Sequence, residues 1–559
     1  MNDPSPRQRW LLVGCATVYL GLALGNGLVW ENSHDEGVTF QQAVSRIRLG
    51  HDASRPDRLS DTVRWSDGGT VNAPQDVVAE LTNPYQLGMH PPAYYLFLNQ
   101  WVRWTGTGTL ALRWPAYLAG ILSLIAMARI ARRLVPQAEA AAAAPALLAL
   151  SPWLVSFSSY ARPYTIALCI ALWSTERMLR LVSAPATWRR RLGFGALSLL
   201  GLYTIYHYAF VLAWQGAILG VSALRLGPGR RGRELAALAA LGAAVVVGYL
   251  PWVPHLLAHL RIVQAPDVYD LYFHGSIPPA QWLSTAGATL RTFALAEVGG
   301  ESRWLVVALA VLGALTLPLA LFRLLPRRSG ALPPPLRLVW LLMPLLPLLI
   351  IAADVLNDSK TITITKTSFF LLPLLILLVV GGIGAVPSRR LRIGGLAAWT
   401  LLFSAGSLLN LEHRAARQTD FERVAQEVAA HDDASHVVVL SNDLPGYAFP
   451  LLLTLRDAGV HRVHLLQVPG PELVASVDRL RRNAAVRRVT LLHFNVPYPD
   501  PFSADRDWTG RELREIRDRA RTSGWKVAQL GSASAAQRAG ARRRTLVIAP
   551  GLRVKFFSM

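Results

Sequence analysis

Cysteine is almost absent. The 559 residues include only Cys15 and Cys169, both inside apolar runs, so a disulfide framework is excluded and no redox motif is present. Acid is scarce too: 35 residues are Asp or Glu against 57 Lys or Arg, and charged residues make up only 16% of the chain. No His, Asp or Glu spacing suited to a metal stands out. No internal repeat is clear, which argues against the repeat-built transporter folds. In a soluble protein a formal charge of +22 would suggest nucleic acid. Here almost all the bases are arginines at the ends of apolar runs, the pattern of membrane topology, and no nucleic-acid partner is implied.

Apolar sequence is abundant. Hydrophobic residues make up 52% of the chain and its mean hydropathy is +0.31. A bilayer core takes about 20 apolar residues per helix. Candidate spans lie near 10–30, 112–133, 139–157, 162–180, 193–208, 209–225, 235–257, 303–324, 337–354, 367–386 and 392–410. The first has a basic start and no convincing small-residue cleavage site, so it reads as a retained span. The count is eleven, and the short pair at 193–225 leaves room for up to thirteen. Basic clusters fall at Arg7/Arg9, "RIARR" (129–133), 177–191, "RLGPGRRGR" (225–233), "RLLPRR" (323–328) and "RRLR" (389–392). Eleven spans put all of them on the cytoplasmic side, with the N-terminus inside and everything after residue 410 outside.

That topology requires "HPPAYYLFLNQWVRW" (90–104) not to cross. It reads as an interfacial or re-entrant helix within a long outer loop, 31–111, with a short tilted span as the alternative. After about Glu412, runs such as "HVVVLSN" (436–442), "VHRVHLLQ" (460–467), "RRVTLLHFN" (487–495) and "RTLVIAP" (544–550) read as strands. Helical patterns lie between them, at 472–484 and 509–524. The expected fold is a polytopic α-helical membrane domain, 1–410, followed by a soluble extracytoplasmic α/β domain, 411–559, with a parallel sheet. The tail carries no Gly-rich phosphate loop and no nucleophile elbow, so no chemistry is assigned to it.

The same topology gathers five polar stretches at the outer ends of spans: "ENSHDE" (31–36), "MHPPAYY" (89–95), "SYARPY" (159–164), "YHY" (206–208) and "DSKTITITKTSFF" (358–370). Ionisable groups at membrane depth are costly and mark sites.

An acidic pair just past the first span resembles the GT-C superfamily of polytopic glycosyltransferases. So do "HPPAYYLFLNQW", "ALRWPAYLAGIL" and "SPWLVSFSSYARPYTIAL" in that order. The likeness is to the bacterial branch that includes protein O-mannosyltransferases and lipid A aminoarabinose transferases. It implies an enzyme of the bacterial inner (cytoplasmic) membrane that moves a sugar from a polyprenyl-phosphate donor to an acceptor hydroxyl at the outer face. The acceptor would be a glycolipid, polysaccharide or protein. The resemblance carries the general base to Asp35 and donor-phosphate contacts to Arg162 and Lys366. Many relatives have an Arg-Tyr pair where this chain reads "TITKTSFFLLP"; Lys366 would supply a point charge without a bidentate grip. No cofactor is firmly implied, and a divalent cation stays open.

The residue types suit that reaction. Phosphate is a good leaving group that needs cations but no acid, whereas an alcohol needs a base. One carboxylate with cations suffices, unlike the paired carboxyls of ordinary glycosidases. Attack opposite the phosphate inverts the anomeric centre. Catalytic candidates are Asp35 and Glu36; substrate-binding candidates are His90, Arg162, Tyr164, His207 and Lys366. Each also has a structural reading. The acids favour a helix N-terminus, Glu36 either raises the pKa of Asp35 or orients a neighbour, and His90 shapes a turn. Arg162 snorkels, Tyr164 and His207 anchor at the interface, and Lys366 meets anionic lipid. Rival functions are a transporter or flippase and a polysaccharide polymerase or ligase, the latter marked by a large late outer loop where this chain has an early one.

Overall fold

The computed structural model describes residues 6–29, 34–44, 71, 73–82, 90–183, 187–263, 277–296, 302–324, 332–357, 359, 362, 365–416, 420–430, 436–441, 454–455, 457–460, 464–468, 473–482, 486–494, 508–523, 526–529 and 545–552. Each of the eleven expected spans falls on a helix or a helix pair. They are α1 (Pro6–Val29), α5 (Thr109–Leu134), the pair α6 (Ala138–Ala149) and α7 (Pro152–Ser158), α8 (Tyr164–Ser183), α9 (Trp188–Thr204), α10 (Tyr208–Leu224), α11 (Pro228–Tyr249), α14 (Arg303–Leu324), the pair α15 (Pro334–Leu341) and α16 (Leu345–Leu356), α18 (Leu371–Gly384) and α19 (Arg389–Ala416). By length and composition, six helices among the described residues are apolar enough to cross a membrane. A seventh counts if the α6–α7 pair, bent by 43°, is one span, while α10 and α18 are shorter apolar helices. The bend has a local cause. Pro152 opens α7, and the residue before a proline is driven out of the helical region; Ser151 sits at φ −63°, ψ 120°.

Among the described residues between α1 and α5 lie three short helices, α2 (His34–Ala43), α3 (Pro74–Thr82) and α4 (Ala93–Thr105). At 13 residues α4 is about 20 Å long, too short for a hydrocarbon core of about 30 Å. Beyond α11, a single 3₁₀ turn leads into α12 (Val253–Val263), and α13 (Trp282–Leu295) precedes α14.

Alternate helix ends share a face. At one end, Arg132 of α5 reaches Gln8 of α1, Arg392 of α19 pairs with Glu139 of α6 at 2.6 Å, and Arg191 of α9 pairs with Glu234 of α11 at 2.6 Å. These contacts bring arginine clusters together. The described parts of the five polar stretches, 34–36, 90–95, 159–164, 206–208 and 365–370, gather at the other end. Exposed tryptophans mark both levels, Trp10 and Trp188 at the arginine end and Trp104 and Trp304 at the polar end.

The tail begins with α20 (Asp420–Ala429) and contains a five-stranded sheet, β1 (His436–Ser441), β2 (His464–Val468), β3 (Arg488–Phe494), β4 (Lys526–Gln529) and β5 (Thr545–Leu552). The order is β2-β1-β3-β5-β4, and every pairing is parallel. One sheet face, with Val437, Val439, Val489 and Leu491, packs on α21 (Leu473–Arg482) and α22 (Trp508–Thr522). On the other face Val438 joins a second core with Val424, Ala425 and Val428 of α20 and with Phe40, Val77 and Leu98 of the outer-loop helices. The tail therefore sits at the polar end of the bundle. Sequence reading missed β4, a four-residue edge strand with one central pairing partner.

Candidate active site

The site starts where α2 begins. Asp35 and Glu36 lie in its first turn, where the partial positive charge of the helix end favours acids. Successive residues of a helix point about 100° apart, so the two carboxylates diverge. Glu36 turns inward and is buried. Its oxygens take two bonds from Arg113, Nε to Oε1 at 2.8 Å and Nη2 to Oε2 at 3.0 Å. Oε1 also accepts the amide of Ala161 at 3.1 Å. Arg113, itself fully buried, gives its remaining Nη1 to the carbonyl of Gly27 at 2.7 Å. A side chain on Gly27 would collide with the Tyr117 hydroxyl, so α1 and α5 meet this closely only over glycine.

Asp35 turns the other way and keeps 21% of its side-chain surface exposed. Lys366 Nζ donates to its Oδ2 at 2.6 Å, across 331 residues of sequence. Arg162 Nη2 stands 3.8 Å from its Oδ1. Lys366 rides on α17 (Thr365–Ser368), a single turn between α16 and α18. Burial disfavours its charge, but Asp35 beside it outweighs that and raises the ammonium pKa. Arg162 is buried in the loop between α7 and α8. It donates to Thr39 Oγ1 at 3.2 Å and to the Tyr95 hydroxyl at 3.3 Å.

Arg162 Nη2 also meets His90 Nε2 at 3.2 Å. A guanidinium has only donors, so His90 must present a lone pair there and be neutral. Burial first, then the charge of Arg162, hold the His90 pKa well below its ordinary value, in agreement. Tyr164 is buried against Phe157 and Phe369, meets the His90 ring edge-on at 6.4 Å, and interacts through its hydroxyl with Arg162.

The structure thus brings together Asp35, His90, Arg162, Tyr164 and Lys366, with Glu36 one layer behind. His207 stands apart. It packs against Phe210 just before α10 and is near enough to His90 to influence it electrostatically. No hydrogen bond or ion pair among the described residues joins it to Asp35, Arg162 or Lys366. Lys360 lies outside the described residues. Among the described residues no group of three or more His, Cys, Asp or Glu side chains is arranged to hold a metal.

Sequence reading missed Arg113 and Asp354. Both carried a signal, a lone charge within an apolar run. Buried Asp354, near the end of α16, accepts Ser359 Oγ at 2.7 Å and the Ile362 amide at 2.8 Å, tying both residues, which precede Lys366 in the chain, to α16.

No family model matches the chain, and no curated protein matches it. Fourteen solved chains do. One is ArnT from Cupriavidus metallidurans bound to undecaprenyl phosphate, 14% identical with a TM-score of 0.49, over 83% of this chain and 86% of that one. Another is the same protein in the apo state, 14% identical with a TM-score of 0.48, over 81% and 86%.

Proposed function

We propose that the protein is an integral membrane glycosyltransferase that moves a sugar from a polyprenyl-phosphate lipid to an acceptor hydroxyl, with Asp35 as general base. The observation that carries this reading is one partly exposed carboxylate held between two cations, Lys366 at 2.6 Å and Arg162 at 3.8 Å. With His90 neutral and Glu36 cancelled by Arg113, the open site carries one net positive charge. That suits the single negative charge of a lipid phosphodiester.

On donor binding the phosphate takes over the charge-assisted bond of Lys366 and the facing charge of Arg162. Asp35, released from them, regains basicity and accepts the proton of the acceptor hydroxyl. The acceptor oxygen attacks the anomeric carbon as the carbon–oxygen bond to phosphate breaks. The electron pair leaves on polyprenyl phosphate, where the two cations hold it. Attack from the face opposite the phosphate inverts the anomeric centre. The arginine clusters lie at the opposite helix ends, and by the positive-inside rule the site faces outward, where lipid-borne sugars are the available donors. The protein is then a multi-pass protein of a bacterial inner membrane, with its N-terminus cytoplasmic and its tail outside.

The test is transfer of radiolabelled sugar by the purified protein from defined polyprenyl-phosphate sugars. Asp35→Asn is expected to abolish transfer while still binding undecaprenyl phosphate. Normal turnover by that variant would remove Asp35 as the base.

A further inference from the structure

We infer that Arg113 acts with Glu36 as a positioning pair, setting the distance and angle between Asp35 and Arg162. The inference rests on the reading of Asp35 as the base. The pair cross-links four elements. Arg113 belongs to α5 and holds the Gly27 carbonyl at the end of α1; Glu36 belongs to α2 and holds the Ala161 amide in the loop between α7 and α8. Asp35 and Arg162 are the immediate chain neighbours of Glu36 and Ala161. Fixing the inner residues to one another therefore fixes the outer ones, the acid and the cation that face each other across 3.8 Å.

The bonding is of a kind suited to this task. A bidentate guanidinium–carboxylate fork fixes orientation as well as distance, and both side chains are fully or almost fully buried. Solvation alone does not account for such a pair, because apolar residues of similar volume fill such a space at equal or lower cost. Beside Thr39 of α2, Arg162 has anchors outside that helix in Tyr95 and His90. Asp35 owes its place to the start of α2, which the pair ties down. Loosening the pair should therefore move the base more than the phosphate contact, lowering kcat rather than donor affinity.

The test uses full-length protein in detergent, with the double variant E36L/R113M and the single variant R113K. Three quantities are read: melting temperature, affinity for undecaprenyl phosphate, and kcat for sugar transfer. The double variant leaves no buried charge unpaired but strips the Ala161 amide and the Gly27 carbonyl of their partners, so its melting temperature should fall only by a few degrees. Its affinity for undecaprenyl phosphate should hold, and kcat should fall by about 100-fold, the cost of a displacement of about 1 Å at the reacting atoms. R113K, which keeps the charge but loses the fork, should show the same split. Unchanged kcat in the double variant would overturn the inference. So would a joint loss of melting temperature, affinity and kcat in both variants, which would mark the pair as scaffolding only. If the double variant is not recovered folded, R113K decides by the same criteria. Asp35→Asn, run alongside, separates the two readings. Its inactivity beside a fully active pair variant defeats only the positioning role, whereas its normal turnover defeats the base assignment itself.

Discussion

Around His90 the surroundings oppose a positive charge from two sides. Burial is the larger cause and the Arg162 guanidinium the second, and together they hold its pKa well below the ordinary 6.5. An unfolded chain takes up that proton near pH 6.5, the folded protein only at much lower pH. Between those two values the unfolded state carries the extra proton, so stability rises with pH. The contribution of neutral His90 is complete above about pH 6.5 and is lost as the pH falls below it. Melting temperatures of wild type should therefore drop more steeply from about pH 7.5 to about 5.5 than those of His90→Gln. Parallel slopes would show that the ring is solvated and free to titrate. At the same scale, the sequence displayed the adjacent acids 35 and 36 but not their division of labour. Helical geometry sends them apart; only the presence of Arg113 and the Ala161 amide on one side decides which of them turns inward.

Elements deliver the cations. Between α16 and α17, Ser359 and Ile362 are held by buried Asp354, which satisfies the hydroxyl of the first and the amide of the second. Asp354→Ala removes both acceptors and frees the segment that carries Lys366 to the site. Donor KM should rise by about tenfold, with kcat little changed, since leaving such donors unmatched costs about 1–3 kcal/mol. An unaltered donor KM would mean that Lys366 is placed by other contacts. Element identity was largely legible in the sequence. Apolar runs of span length appear as helices, and runs rich in Val, Leu and Thr at 436, 464, 488 and 545 appear as parallel strands. The exception, β4, is four residues long and draws its stability from pairing with β5, which local pattern does not report.

At the level of the whole molecule, the tail and the outer loop share a core. Val424 and Val428 of α20 are fully buried in one cluster with Phe40, Val77, Tyr94 and Leu98. The sheet thus uses α20 and the loop helices together as its second covering layer. An aspartate at Val424 would bury an unpaired charge in that seam. The variant is expected to melt at lower temperature and to release the tail to limited proteolysis before the helical bundle is cut. A wild-type digestion pattern would show that the tail holds its place without this seam.

By itself the sequence determined which segments are apolar enough to become membrane helices, where arginine gathers, and where α/β alternation begins. These are properties of one stretch against its solvent, and hydropathy and periodicity measure just that. It also determined which polar stretches share an end, because antiparallel helices alternate. Only tertiary structure decided which of those polar residues touch: that Lys366 crosses to Asp35, that His207 stands aside, and that Arg113 claims Glu36. Those choices depend on side-chain packing across helices far apart in the chain, where a few ångströms separate an ion pair from a bystander.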